Sequence, residues 1–153
     1  MDFLKRLDET NTPHELIRFN KAVHSAYDVA EIAHCGLNKV MKTMVFIGRE
    51  KPITAVVPGD RRVDMKKLRS TSGASSSLRM ASPDEVLSIS GYEIGSVSPL
   101  GLAEDMETYI DSSVASEDFV LVGSGEANSV LKIQVSDLLR LSRATVAEIT
   151  TFV

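Results

Sequence analysis

Hydrophobic positions change their spacing several times along the chain, and each change predicts an element. Phe3, Leu4 and Leu7 recur at helical spacing until Thr10-Asn11-Thr12-Pro13, where the proline and its predecessor disfavour continuation. His14 to Phe19 reads as a short extended run. Ser25 then stands as an N-cap with Asp28 three residues on, Val29, Ile32 and Ala33 supply an apolar stripe, and Gly36 is placed to close this second helix. Met41 to Ile47 and Ile53 to Val57 are apolar, rich in β-branched residues and of strand length. The turn residues Gly48-Arg49-Glu50-Lys51-Pro52 separate them, and Pro58-Gly59-Asp60 ends the second.

Further on, Asp64 is placed to cap a short basic helix through Leu68. Ser70 to Ser77 has no side chains with which to make a core and reads as a mobile loop. Ser82-Pro83-Asp84-Glu85 is the clearest helix start in the chain: a serine cap, proline in the first turn and Glu85 in position to complete a capping box. Gly91 ends that helix after Val86, Leu87 and Ile89. A loop rich in glycine, serine and proline follows from Gly95 to Gly101. Strand patterns return at Thr108 to Ile110, Phe119 to Val122 and Val130 to Val135, with Gly123-Ser124-Gly125 as a hairpin turn between the last two. Ser136 is placed to cap a final helix carrying Leu138, Leu139 and Leu141, and Ala144 to Ile149 returns as an edge strand. Helices and strands mix without a regular βαβ period, which predicts an α+β fold with a mixed sheet, formed by residues 1–153 as one domain.

Composition narrows this picture. The 153 residues are 43% hydrophobic and 25% charged, ordinary proportions for a globular protein. No apolar run approaches the roughly 20 residues of a membrane span, and no signal peptide opens the chain, so a cytoplasmic protein without membrane partners is expected. The lone Cys35 excludes an internal disulfide and a cysteine-based zinc cluster, and His14, His24 and His34 are not spaced as ligands. No metal and no cofactor is implied. The net charge of −4 argues against a protein that holds DNA or RNA mainly by neutralising phosphates. That average hides an asymmetry: Lys39 to Arg69 carries nine basic and three acidic residues, a local +6, which leaves −10 elsewhere. A solvated face and a landing site for a phosphate-bearing ligand both fit such a stretch.

Lys42 is the most informative single residue. It shares a strand face with Val40, Met44 and Phe46, and a lysine on an apolar face is either snorkelling or part of a site. The loop Gly91-Tyr92-Glu93-Ile94-Gly95-Ser96-Val97-Ser98-Pro99-Leu100-Gly101 fits an ordinary turn. It also fits a site in which glycine admits substrate close to backbone N–H groups that receive an oxyanion. His24 fits helix-entry packing or a pocket wall. Asp111 fits an exposed strand end or a group that orients a cation or water. No G-x-S-x-G elbow is present and no Ser–His–acid set can be nominated, which disfavours a triad hydrolase.

Taken together, Val40-Met41-Lys42-Thr43-Met44-Val45-Phe46 and Gly91 to Gly101 resemble the lysine strand and the G-Y-x-x-G-G-x-S-P-L-G loop of the YbaK/ProX family of aminoacyl-tRNA deacylases. That family includes free-standing editing proteins and the editing domain inserted in bacterial prolyl-tRNA synthetases. The order of the other pieces agrees, with Ser82 to Val86 before the loop and Asp111 after it. One position departs: Ser96 stands where the family often has a second glycine, so the family's usual substrate preference does not carry over.

The resemblance implies a mixed, partly barrel-like sheet with packed helices and a deacylase acting in trans on mischarged tRNA. Lys42 and Gly95 would be catalytic, and Ser96, Ser98, Pro99, Gly101, Asp111 and His24 would surround the substrate. The partners implied are the acceptor end of aminoacyl-tRNA and an aminoacyl-tRNA synthetase. Lys42 could meet a phosphate near the tRNA 3′ end or the ester itself. An aminoacyl ester is already activated, so its hydrolysis needs a positioned water and a stabilised oxyanion more than a protein nucleophile. Two rivals stand beside this expectation: a non-catalytic module that binds aminoacyl ligands, and a small acyl-ester hydrolase.

Overall fold

A computed structural model describes residues 3–20, 23, 25–49, 51–103 and 106–153. Helix α1 (Phe3–Glu9) leads into β1 (His14–Arg18) and α2 (Ala26–Ala33). A 3₁₀ turn at Leu37–Lys39 precedes β2 (Met41–Ile47), β3 (Ile53–Pro58), β4 (Arg61–Val63) and α3 (Met65–Ser72). Then come β5 (Arg79–Met80), α4 (Pro83–Ser90) and β6 (Glu107–Asp111). The chain continues through β7 (Phe119–Gly123), β8 (Ser129–Gln134), α5 (Val135–Ser142), β9 (Thr145–Ala147) and β10 (Thr150–Phe152).

Among the described residues the strands form three sheets. Five run in the order β5-β2-β3-β6-β9, antiparallel on the β2 side of β3 and parallel on the β6 side. Three form an antiparallel sheet, β1-β8-β7, and β10 pairs antiparallel with β4. The mixed α+β architecture is as expected, but among the described residues the sheets do not close into a barrel. Strand β3 is buried throughout, so it reads as a continuous apolar run rather than an alternating one. Its two faces serve different cores. Val56 joins Met41, Ile110 and Leu131 beneath the three-stranded sheet, while Ile53, Ala55 and Val57 pack with Phe46, Leu68 and Ile149 on the other side.

Local chemistry explains most of the helix ends. Ser25 Oγ accepts from Asp28 N–H at 3.1 Å, and Ser82 and Glu85 form the full capping box that their spacing predicts. Three expectations need correction. Helix α2 is closed by His34 in the left-handed region (φ 56°), whose N–H reaches back to the last carbonyls, so Gly36 falls outside the cap. Helix α3 extends through Ser72, because Asp64 satisfies the N–H groups of Lys66 and Lys67 and Leu68 anchors it in the core; the first three residues of the serine tract are therefore helical. Helix α5 begins one residue before Ser136, directly out of β8, with no side-chain cap. Among the described residues, no helix is long and apolar enough to cross a membrane.

Candidate active site

The site arises where two strands part. Along one side β2 pairs with β3. Along the other it is bridged to β7 at Val40, opposite Leu121, and to β5 at Phe46 and Ile47, with Ala81 N–H donating to the Val45 carbonyl at 2.9 Å. Between these points β2 and β7 diverge, and Lys42, Thr43 and Met44 line a cleft of about 560 Å³. That size falls in the range of pockets that take a small-molecule ligand. The remaining walls come from α2 (Ala26, Val29), the loop (Ile94, Gly95, Val97) and the β7–β8 hairpin (Gly123, Ser129). They are mostly apolar, and among the described lining residues only Lys42 and Glu126 carry charge.

Glycine makes the far wall possible. A Cβ on Gly123 would collide with the Val97 carbonyl, so only glycine lets the end of β7 lie against the loop at this point. Gly125 N–H then donates to the Ser96 carbonyl at 2.9 Å and ties the hairpin to the loop. Within the loop, Ser96 Oγ donates to the Glu93 carbonyl at 2.8 Å, Ser98 Oγ accepts from Leu100 N–H at 3.2 Å, and Tyr92 Oη donates to the Leu100 carbonyl at 3.2 Å. Ser96, Ser98 and Pro99 are buried and hold the loop's shape, whereas Gly95 faces the cleft at φ 85° with nothing within 4 Å of where a Cβ would stand. Gly101 lies further on, against Phe3 and Tyr92.

Lys42 is half-buried, and its Nζ donates to the Arg61 carbonyl at 3.0 Å. Burial pushes its pKa below the ordinary lysine range, and the negative charge of Asp60 opposes that shift in part. The structure thus brings Lys42 and Gly95 to one cleft, with Ser96, Ser98 and Pro99 as the scaffold behind Gly95. It places Asp111 elsewhere. That carboxylate is buried at the end of β6, where Oδ2 accepts from both the N–H and the hydroxyl of Ser113 and Oδ1 accepts from Ile149 N–H at 3.1 Å. Burial alone would raise its pKa, but these hydrogen bonds outweigh it and hold the group ionised below the usual aspartate range. His24 lies outside the described residues.

Several wall residues escape a reading of the sequence. Thr43 presents a buried hydroxyl with no partner among the described residues, and Ser129 Oγ lies 2.8 Å from Ser124 Oγ beside the cleft. Gly123 carried a signal, since it opens the Gly-Ser-Gly turn, but the turn says nothing about which loop it meets. Chemically, the cleft offers one cation, a glycine-walled opening and hydroxyls in an apolar surround. This suits binding a small polar ester more than nucleophilic attack by a side chain.

Comparison with known proteins identifies a family. The family model described as "aminoacyl-tRNA editing domain" matches residues 20–141. An uncharacterised protein of Bacillus subtilis, YwhH, is 34% identical over 133 residues, covering 86% of this chain and 83% of that one. A protein of Enterococcus faecalis named as a candidate Cys-tRNA(Pro)/Cys-tRNA(Cys) deacylase, EbsC, is 30% identical over 128 residues, or 83% of this chain and 77% of its own. Among solved structures, a candidate trans-editing enzyme for prolyl tRNA synthetase superposes with a TM-score of 0.83 at 25% identity, over 90% of this chain and 87% of that one. With the lysine strand and glycine loop meeting at one cleft and the model spanning both, the chain belongs to the aminoacyl-tRNA editing domain family.

Proposed function

We propose that this protein is a trans-acting deacylase that hydrolyses the ester linking a wrongly attached amino acid to tRNA in the cytoplasm. The observation that carries the reading is that Lys42 and Gly95, far apart in sequence, line the same cleft. A water molecule attacks the ester carbonyl, the carbonyl oxygen takes the developing negative charge, and the ribose oxygen leaves with a proton as the free amino acid is released. The Gly95 backbone gives the ester room against the loop. Lys42 neutralises negative charge at this end of the cleft, on the terminal phosphate or on the ester oxygen. Ser96, Ser98 and Pro99 keep the loop from collapsing into the space that the substrate needs, and a synthetase is the natural partner that delivers charged tRNA.

The test is release of free amino acid from a panel of mischarged tRNAs. A deacylase discharges at least one of them far faster than buffer does. A binding module retains aminoacyl-tRNA without discharging any, and a small-ester hydrolase handles an aminoacyl nucleoside as well as the full tRNA.

A further inference from the structure

A second pocket, about 350 Å³, lies where β4, β10 and the end of β6 meet. Most of its polar groups are spoken for. Asp111 is held by Ser113 and Ile149, and Lys67 Nζ donates to Glu148 at 2.8 Å and to the Thr150 carbonyl at 2.9 Å. Two neighbours still present surface to solvent or lack a charged partner. The Arg61 guanidinium sits 4.1 Å over the Phe152 ring and donates to Thr150 Oγ1 at 3.1 Å, with no carboxylate partner among the described residues. Phe152 is fixed by the strand and by this stack, yet stays 70% exposed. Arg62, on the opposite face of β4 from Arg61, and Lys66, in the first turn of α3, are exposed and form no ion pair among the described residues.

An open aromatic face steadied by arginine, on a basic stretch of chain, is the arrangement that binds unpaired nucleotides: bases stack on the ring while phosphates meet the charges. All three cations fall within the Lys39 to Arg69 stretch, the basic part of an acidic chain. The platform also adjoins the cleft, because the carbonyl that accepts from Lys42 belongs to Arg61 itself. We infer that Phe152 and Arg61 form a stacking platform for the unpaired nucleotides that precede the aminoacylated end of tRNA, with Arg62 and Lys66 supplying positive charge around the β4–β10 edge. This rests on the deacylase reading and deepens it. With the ester in the cleft, the strand leaves past Lys42 and crosses the β4–β10 edge.

The experiment uses the full chain and a fluorescently labelled, uncharged single-stranded RNA ending in C-C-A, with Kd read by anisotropy across a salt series. Phe152→Ala weakens binding at least about fivefold, the lower end of what loss of one base–aromatic stack gives. Phe152→Tyr, which keeps the ring, retains the parent's affinity. Arg62→Glu weakens binding and lowers the salt slope by about one. The platform is refuted if Phe152→Ala binds as the parent does, if Phe152→Tyr loses as much as Phe152→Ala, or if the parent binds a blunt RNA duplex as tightly as the single strand. Because the oligomer carries no ester, these outcomes read the platform alone. Failure of the deacylase reading appears instead as no discharge of any tRNA in the panel.

Discussion

Lys42 is under two opposing demands, since its stem lies among apolar side chains while its ammonium leans on one carbonyl. Removing a half-buried charge need not destabilise a fold. Lys42→Ala is therefore expected to lower deacylation at least about tenfold, some 1.4 kcal/mol of transition-state stabilisation, while urea unfolding stays near the parent's. The shifted pKa adds a pH signature. Because the folded state releases this proton more readily than the unfolded chain, activity that needs the ammonium falls on the alkaline side, starting below the ordinary lysine range. Stability moves the other way and gains as the pH rises through the folded value. Gly95 and Gly123 are expected to behave differently from each other. At Gly95 a methyl group meets open cleft but a left-handed backbone, so Gly95→Ala costs roughly 1–2 kcal/mol of stability and lowers turnover by the folded protein at least about tenfold. At Gly123 the methyl group meets the Val97 carbonyl, so Gly123→Ala shifts the unfolding curve first. Turnover and unfolding measured on one preparation of each variant separate the two cases.

At the scale of elements, the start of α4 offers a test at residues that do not themselves line the cleft. Glu85 closes the capping box and also receives both guanidinium nitrogens of Arg79, at 2.9 and 3.0 Å. The Arg79 hydrogen bonds, followed by that from Ser82 N–H, hold its pKa down to about 2. A carboxylate whose folded pKa is depressed stabilises the fold above its unfolded pKa and loses that contribution as the pH falls toward the folded value. Stability should therefore decline between the ordinary glutamate range and about pH 2. Denaturant unfolding of Glu85→Gln should show a shallower decline over the same window. This helix was legible because everything that starts it lies within four consecutive residues. Strands β4 and β10 were not: each has three residues, too few for a periodic signal, and they exist because Arg61–Val63 and Thr150–Phe152 find each other across the chain. The early end given to α3 has a related cause, since a serine run has poor helix propensity and Leu68, in the core, outweighs it.

Across the whole molecule, legibility divides along the same line. Lys42 and the glycine loop could be found because each is a compact local pattern, and their resemblance to one family joined them before any geometry did. The opposite wall could not be found, because Gly123 and Ser129 come to the cleft only once the three-stranded sheet meets the start of β2 at Val40. Asp111 shows the converse. A strand-end carboxylate looks available in sequence, but the fold spends it on anchoring the chain at Ile149.

The parting of β2 from β7 has a consequence for life in a crowded solution. A strand edge with free backbone groups beside apolar side chains is a template for a stray strand, the usual starting point of aggregation. Here the vulnerable stretch from Lys42 to Met44 is recessed, with α2 on one side and the glycine loop on the other. A second polypeptide strand cannot lie flat along so short and so walled an edge. The same concavity that forms the cleft thereby also shields this stretch of edge from strand addition.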